Sequence, residues 1–125
     1  MSTCDCELVP ALANTANKLR VHSINATTKC ASGHPTTCMS AADIMACLFF
    51  KVMRYDPQDA HNLNNDRFLM SKGHAAPVLW AALAEAGTYT VEQIMTLREI
   101  DSDFEGHPTP RIPWAYVGTG SLGQG

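Results

Sequence analysis

Glycine and proline punctuate this chain so regularly that almost all of its text divides into helices and loops. Eight glycines and seven prolines fall at the ends of helical stretches or between them, with Pro10 suited to a first turn. Leu8, Leu12, Ala16, Leu19 and Ser23/Ile24 recur at three-to-four spacing, which predicts an amphipathic helix over 7–29. Ser32-Gly33-His34-Pro35 must end it. Ser40 three residues before Asp43 reads as a capping box. It predicts a second helix through Ile44, Met45, Leu48, Phe49 and Met53, apolar nearly all round and so expected to be buried. Arg67 to Ser71 is the one candidate strand. Pro77 opens and Gly87 closes a third helix over 78–86, and Thr90 with Gln93 caps a fourth over 91–100. Pro108, Pro110 and Pro113 keep 101–118 irregular. The final stretch, 118–125, reads as a glycine-rich turn opening another helix. The expected chain is mostly helical with long loops and little or no strand, one layer of something larger.

Composition narrows the function classes. The chain has 125 residues, 46% hydrophobic and 17% charged, with a formal charge of −3 and no basic run to neutralise phosphates, so nucleic-acid binding is not expected. The longest apolar run, around Ile44 to Phe50, is far short of the roughly 20 residues a membrane span needs. The N-terminus lacks the basic and apolar regions of an export signal. A cytoplasmic location without membrane association is the expectation. Five cysteines, at 4, 6, 30, 38 and 47, form no C-x-x-C pair and are expected as reduced, packed thiols. A natural domain seldom stops just after a glycine-rich stretch, so the chain is expected to be the opening of a longer protein.

Three of the five histidines follow a glycine, in Gly33-His34-Pro35, Gly73-His74-Ala75 and Gly106-His107-Pro108. All three fall in loops or at helix starts, where glycine would let the backbone approach a ligand and imidazole could shuttle protons near neutral pH. The alternatives are locally bonded loop histidines or a tri-histidine metal site, although no two lie at i, i+3 or i, i+4 on a helix. His22 and His61 read as structural or solvated, and Lys72 as solvated or salt-bridged. Gly118-Thr119-Gly120-Ser121-Leu122-Gly123 satisfies G-x-G-x-x-G after the short apolar stretch 114–117. A helix start there would receive a diphosphate. A dinucleotide site would also need an acidic residue about 20 positions later.

Six strings stand in order from about Leu8 to Gly125: Ser32-Gly33-His34-Pro35-Thr36, Ser40 to Met45, Asp66-Arg67-Phe68, Leu69 to Pro77, Gly106-His107-Pro108 and Thr119 to Gly125. Together they resemble the start of the transketolase family of thiamine-diphosphate enzymes. The resemblance implies an α/β thiamine-diphosphate-binding fold for the whole protein. Residues 1–7 would be a tail, and 8–125 the N-terminal part of its diphosphate-binding domain, incomplete at the C-terminal end. It implies transfer of a two-carbon ketol unit between sugar phosphates in a cytosolic homodimer. By the same resemblance His34 and His107 contact substrate and assist proton transfer, while Thr37, His74, Gly120, Ser121 and Leu122 bind the cofactor. The cofactor would be thiamine diphosphate with Mg²⁺ or Ca²⁺, whose Gly-Asp-Gly and Asn ligands lie beyond residue 125, and the glutamate that activates the aminopyrimidine would come from a different domain of the partner subunit. The chain alone is then expected to be inactive. Other readings are a related thiamine enzyme or transketolase-like protein, a nicotinamide-dinucleotide domain built on 118–123, and a non-enzymatic helical module.

Overall fold

The computed structural model describes residues 3–124, with the backbone alone for 3–6 and 124. Met1, Ser2 and Gly125 lie outside the described residues, as do the side chains of Cys4 and Cys6. Helix α1 spans Thr3–Lys29, beginning four residues before the predicted start, and carries Pro10 inside it. Helix α2 spans Pro35–Cys47 and continues as a π-helical turn over Leu48–Val52. A 3₁₀ turn at Gly73–Ala75 leads into α3, Ala76–Glu85, and α4 is the single turn Val91–Ile94. A last 3₁₀ turn occupies Leu122–Gln124.

Helix α3 is the centre of the packing. From Ala76 to Leu83 every residue is buried, and α1 and α2 pack on it and on each other. Alanine dominates these faces, with Ala16 and Ala26 on α1, Ala42 and Ala46 on α2, and Ala76, Ala81 and Ala82 on α3. Small side chains let the helix axes approach closely, and the larger Leu19, Met45, Phe49, Leu79, Trp80 and Leu83 fill what remains. Two hydroxyls inside this layer are satisfied within α1: Ser23 Oγ donates to the Leu19 carbonyl at 2.7 Å and Thr27 Oγ1 to that of Ser23 at 2.8 Å. The irregular C-terminal segment folds back over α3. Phe104, Ile112 and Trp114 are buried, and the Trp80 and Phe104 rings meet edge to face at 5.9 Å.

Several boundaries differ from the sequence expectation, each for a physical reason. Helix α2 starts at Pro35, with His34 as its N-cap, because proline at N1 needs no hydrogen bond; the Ser40–Asp43 pair lies inside the helix and caps nothing. That helix is buried on one face only, for Ile44 and Val52 are 64% and 62% exposed and Cys47 is exposed rather than packed. Residues 67–71 run without regular structure, since no strand exists among the described residues to pair with them. The Thr90–Gln93 capping box is present, but α4 stops after one turn. The chain turns off at Arg98, whose φ of 63° is left-handed. Gly87, at φ 81°, closes α3 as expected. No helix among the described residues is long and apolar enough to cross a membrane.

Candidate functional site

The three glycine-preceded histidines arrive from separate loops and meet in a row. His34 caps α2, His74 sits in the 3₁₀ turn ahead of α3, and His107 lies in the irregular C-terminal segment. The His34 and His74 ring centroids are 4.9 Å apart at 62°, and those of His74 and His107 are 4.7 Å apart at 86°. Each contact is edge to face, the arrangement that sets a ring's positive edge against a neighbouring π-face. His34 is exposed at one end of the row, and His74 and His107 are half-buried.

Cross-ties hold the His74 and His107 end of the row. Thr119 Oγ1 donates to the Met70 carbonyl at 2.7 Å, and the Thr119 amide donates to the Pro108 carbonyl at 3.3 Å. Trp80 Nε1 donates to the Glu105 carbonyl at 3.0 Å, so the buried α3 fixes the approach to His107. Gly120, left-handed at φ 99°, lies flat against the His107 ring, and any Cβ there would overlap it. Gly73 likewise faces the backbone of 119–120 with no room for a Cβ. The glycines beside the histidines therefore make room for protein: backbone at Gly73, the Thr27 methyl at Gly33 and the Arg98 guanidinium at Gly106. Sequence reasoning took them for openings toward a ligand and missed Arg98, which nothing in its local pattern marks.

His107 is the perturbed group. Burial lowers its pKa from the ordinary 6.5, and the neighbouring His74, Arg98 and His34 lower it further, with Glu105 opposing. Its imidazole is thus kept neutral to lower pH than usual, and its Nε2 is buried without a hydrogen-bond partner. The three rings do not converge on one point, and among the described residues no group of His, Cys, Asp or Glu is placed to hold a metal ion. That removes the tri-histidine metal reading. Thr37 is half-buried on the first turn of α2, whereas Ser121 and Leu122 are exposed. A separate cavity of about 270 Å³ between Pro57, His61, Tyr89 and Trp114 includes none of the three histidines.

The family model described as transketolase, thiamine diphosphate binding domain, matches residues 12–125. The chain belongs to the transketolase family. It is 56% identical over 121 residues to human transketolase, an alignment that takes in 97% of this chain and 19% of that protein. Over the same length it is 50% identical to human transketolase-like protein 2. Its fold matches transketolase from Leishmania mexicana with a TM-score of 0.85 at 36% identity, over 91% of this chain and 17% of that one. A transketolase complex with sedoheptulose 7-phosphate from Pichia stipitis matches with a TM-score of 0.83, also at 36% identity, over 90% of this chain and 17% of that chain. The chain thus spans about a fifth of these relatives, and its helices form part of their thiamine-diphosphate-binding fold. Family membership also displaces the nicotinamide reading of 118–123, and the preceding segment 114–117 is not the strand that reading needs.

The residues present fit such a cofactor. Around the transketolase histidine row stand the imidazoles and the Arg98 guanidinium, and His107 carries an orphaned buried nitrogen. The nearby carboxylate of Glu105 is engaged by Arg111 at 3.3 Å. The divalent cation is different, since no group of three or more His, Cys, Asp or Glu among the described residues is placed to hold one.

Proposed function

We propose that this chain is the leading part of a transketolase, and that the whole protein transfers a two-carbon ketol unit from a ketose phosphate to an aldose phosphate. Thiamine diphosphate, when bound, supplies the carbanion stabilisation that such a transfer needs. His74, Thr37, Gly120, Ser121 and Leu122 would hold it. His34 and His107 bind the sugar and move protons at its hydroxyl and carbonyl oxygens. A neutral His107 is a competent acceptor at physiological pH, because burial and the nearby Arg98 guanidinium oppose its protonation. Mg²⁺ or Ca²⁺ is bound by residues outside this chain. The working unit is a cytoplasmic homodimer that takes sugar phosphates as substrates and uses neither nucleic acid nor membrane as a partner.

The observation that carries this reading is the row of three imidazoles, delivered by three loops and closed at one end by Gly120. Such a row offers several proton-transfer positions within one small volume. A transketolase-like protein with altered activity is the second reading, supported by the 50% identity to human transketolase-like protein 2. Both are tested by a chimera in which this chain replaces the matching segment of human transketolase. The expected result is a folded protein that binds thiamine diphosphate and performs ketol transfer, while the 125-residue chain alone performs none. A folded chimera that binds no thiamine diphosphate would refute the cofactor assignment; one that binds it without transfer supports the second reading.

A further inference from the structure

Arg98 is placed by an unusual backbone and a missing side chain. Its φ of 63° is left-handed, a conformation few non-glycine residues adopt. Its amide donates to the Phe104 carbonyl at 2.9 Å, which closes the turn 98–104 back on itself. The side chain then reaches across to Gly106, where Cζ, Nη2 and Nε occupy the volume that any Cβ would need. The guanidinium thus lies flat on the residue just before His107. No acidic side chain pairs with it among the described residues, although Glu99 and Glu105 line the same open cavity of about 320 Å³ together with Arg111 and His107.

We propose that Arg98 is a positioning residue for His107: its guanidinium, seated on Gly106, fixes the loop that presents the imidazole to the histidine row. This inference extends the role given to His107 under Proposed function, but its first test needs no activity. A planar, permanently charged group suits the task, because it packs on a glycine face and never loses its charge in the range where histidine titrates. A lysine would bring the charge without the plane. The groups that face His107 are His74 and His34 along the row, Arg98 and Glu105, with Arg111 drawn away onto Glu105. Removing Arg98 takes away one of the influences that disfavour protonation. The imidazole midpoint should therefore rise, and the ring should lose its fixed orientation.

The experiment follows all five histidine rings by NMR across a pH titration of the full chain, in wild type, Arg98→Gly and Arg98→Lys. Glycine is at ease at a left-handed φ, so the first variant keeps the turn while deleting the guanidinium. The expected result is an upward shift of the His107 midpoint in Arg98→Gly, with displaced ring resonances in both variants and His22 and His61 unchanged. Should Arg98→Gly fail to fold, the ring resonances of Arg98→Lys decide alone. His107 titrating as in wild type with unmoved resonances would overturn the proposal, and so would equal shifts at His22 and His61, which would mark a general loosening. In the chimera, Arg98→Lys should lower kcat several-fold with thiamine diphosphate affinity unchanged. Loss of cofactor affinity instead would assign Arg98 to the cofactor and overturn its link to His107.

Discussion

Gly73 and Gly120 meet backbone to backbone: a Cβ built on Gly73 would lie 2.7 Å from the Gly120 amide nitrogen and 2.7 Å from the Thr119 carbonyl carbon. This contact joins the turn that carries His74 to the strip that braces His107.

Gly73→Ala should therefore be severe. The obstructing atoms are backbone and cannot rotate away, so the cost should reach the upper end of overpacking penalties, about 3 kcal/mol. Urea unfolding of the chain measures it. A loss below about 0.5 kcal/mol, the size of an ordinary surface substitution, would show that the two strips are not in contact.

Thr119→Val keeps the shape of the side chain but removes its donation to the Met70 carbonyl. A loss of about 1 kcal/mol is expected, with faster amide exchange at position 119, whose N–H donates to the Pro108 carbonyl, than in wild type. Unaltered exchange at that amide would mean that the hydrogen bond does not hold the strip.

His107→Ala and His74→Ala should separate two roles in the chimera. The first removes a proton-transfer group and should lower kcat by about 10²-fold or more while thiamine diphosphate affinity stays close to wild type. The second should weaken both, and the comparison needs steady-state kinetics beside a direct cofactor titration. Small, equal effects would sink the division of labour.

Glu85 couples α1 to α3 in a pH-dependent way. Burial raises its pKa, but hydrogen bonds from His22 at 2.9 Å and Lys18 at 3.1 Å, with the charges of both, outweigh burial and hold it below the ordinary 4.5. A depressed carboxyl stabilises the fold above its unfolded pKa, and that contribution is lost as pH falls through the folded value. The urea midpoint should thus drop as pH is lowered from about 5 to about 3, and Glu85→Gln should flatten that slope. Parallel slopes in the two proteins would exclude the coupling.

Local chemistry made part of this molecule readable in advance. Pro77 and Gly87 bracket α3 because one lacks the donor a first turn does not use and the other tolerates a positive φ. Thr90 and Gln93 cap α4 reciprocally, as their spacing suggests. The length of α4 was not readable, because it is set by Arg98 turning left-handed toward Phe104, a tertiary event. Ser40 and Asp43 misled for the same reason: Asp43 is drawn into an ion pair with Arg20 of α1, a partner far away in sequence. The three histidines stood out by their shared neighbour, yet the purpose of each glycine depends on what packs against it from another segment. Only the folded chain reveals that.

The cross-ties among 70–75, 105–109 and 118–120 also decide how the histidine row fails. Neither His74 nor His107 is held by its own loop alone, so no stable half-site remains when one strip detaches. Damage anywhere along Gly73, Thr119 or Trp80 should release these two imidazoles together, and partial unfolding should switch the row off in one step rather than erode it.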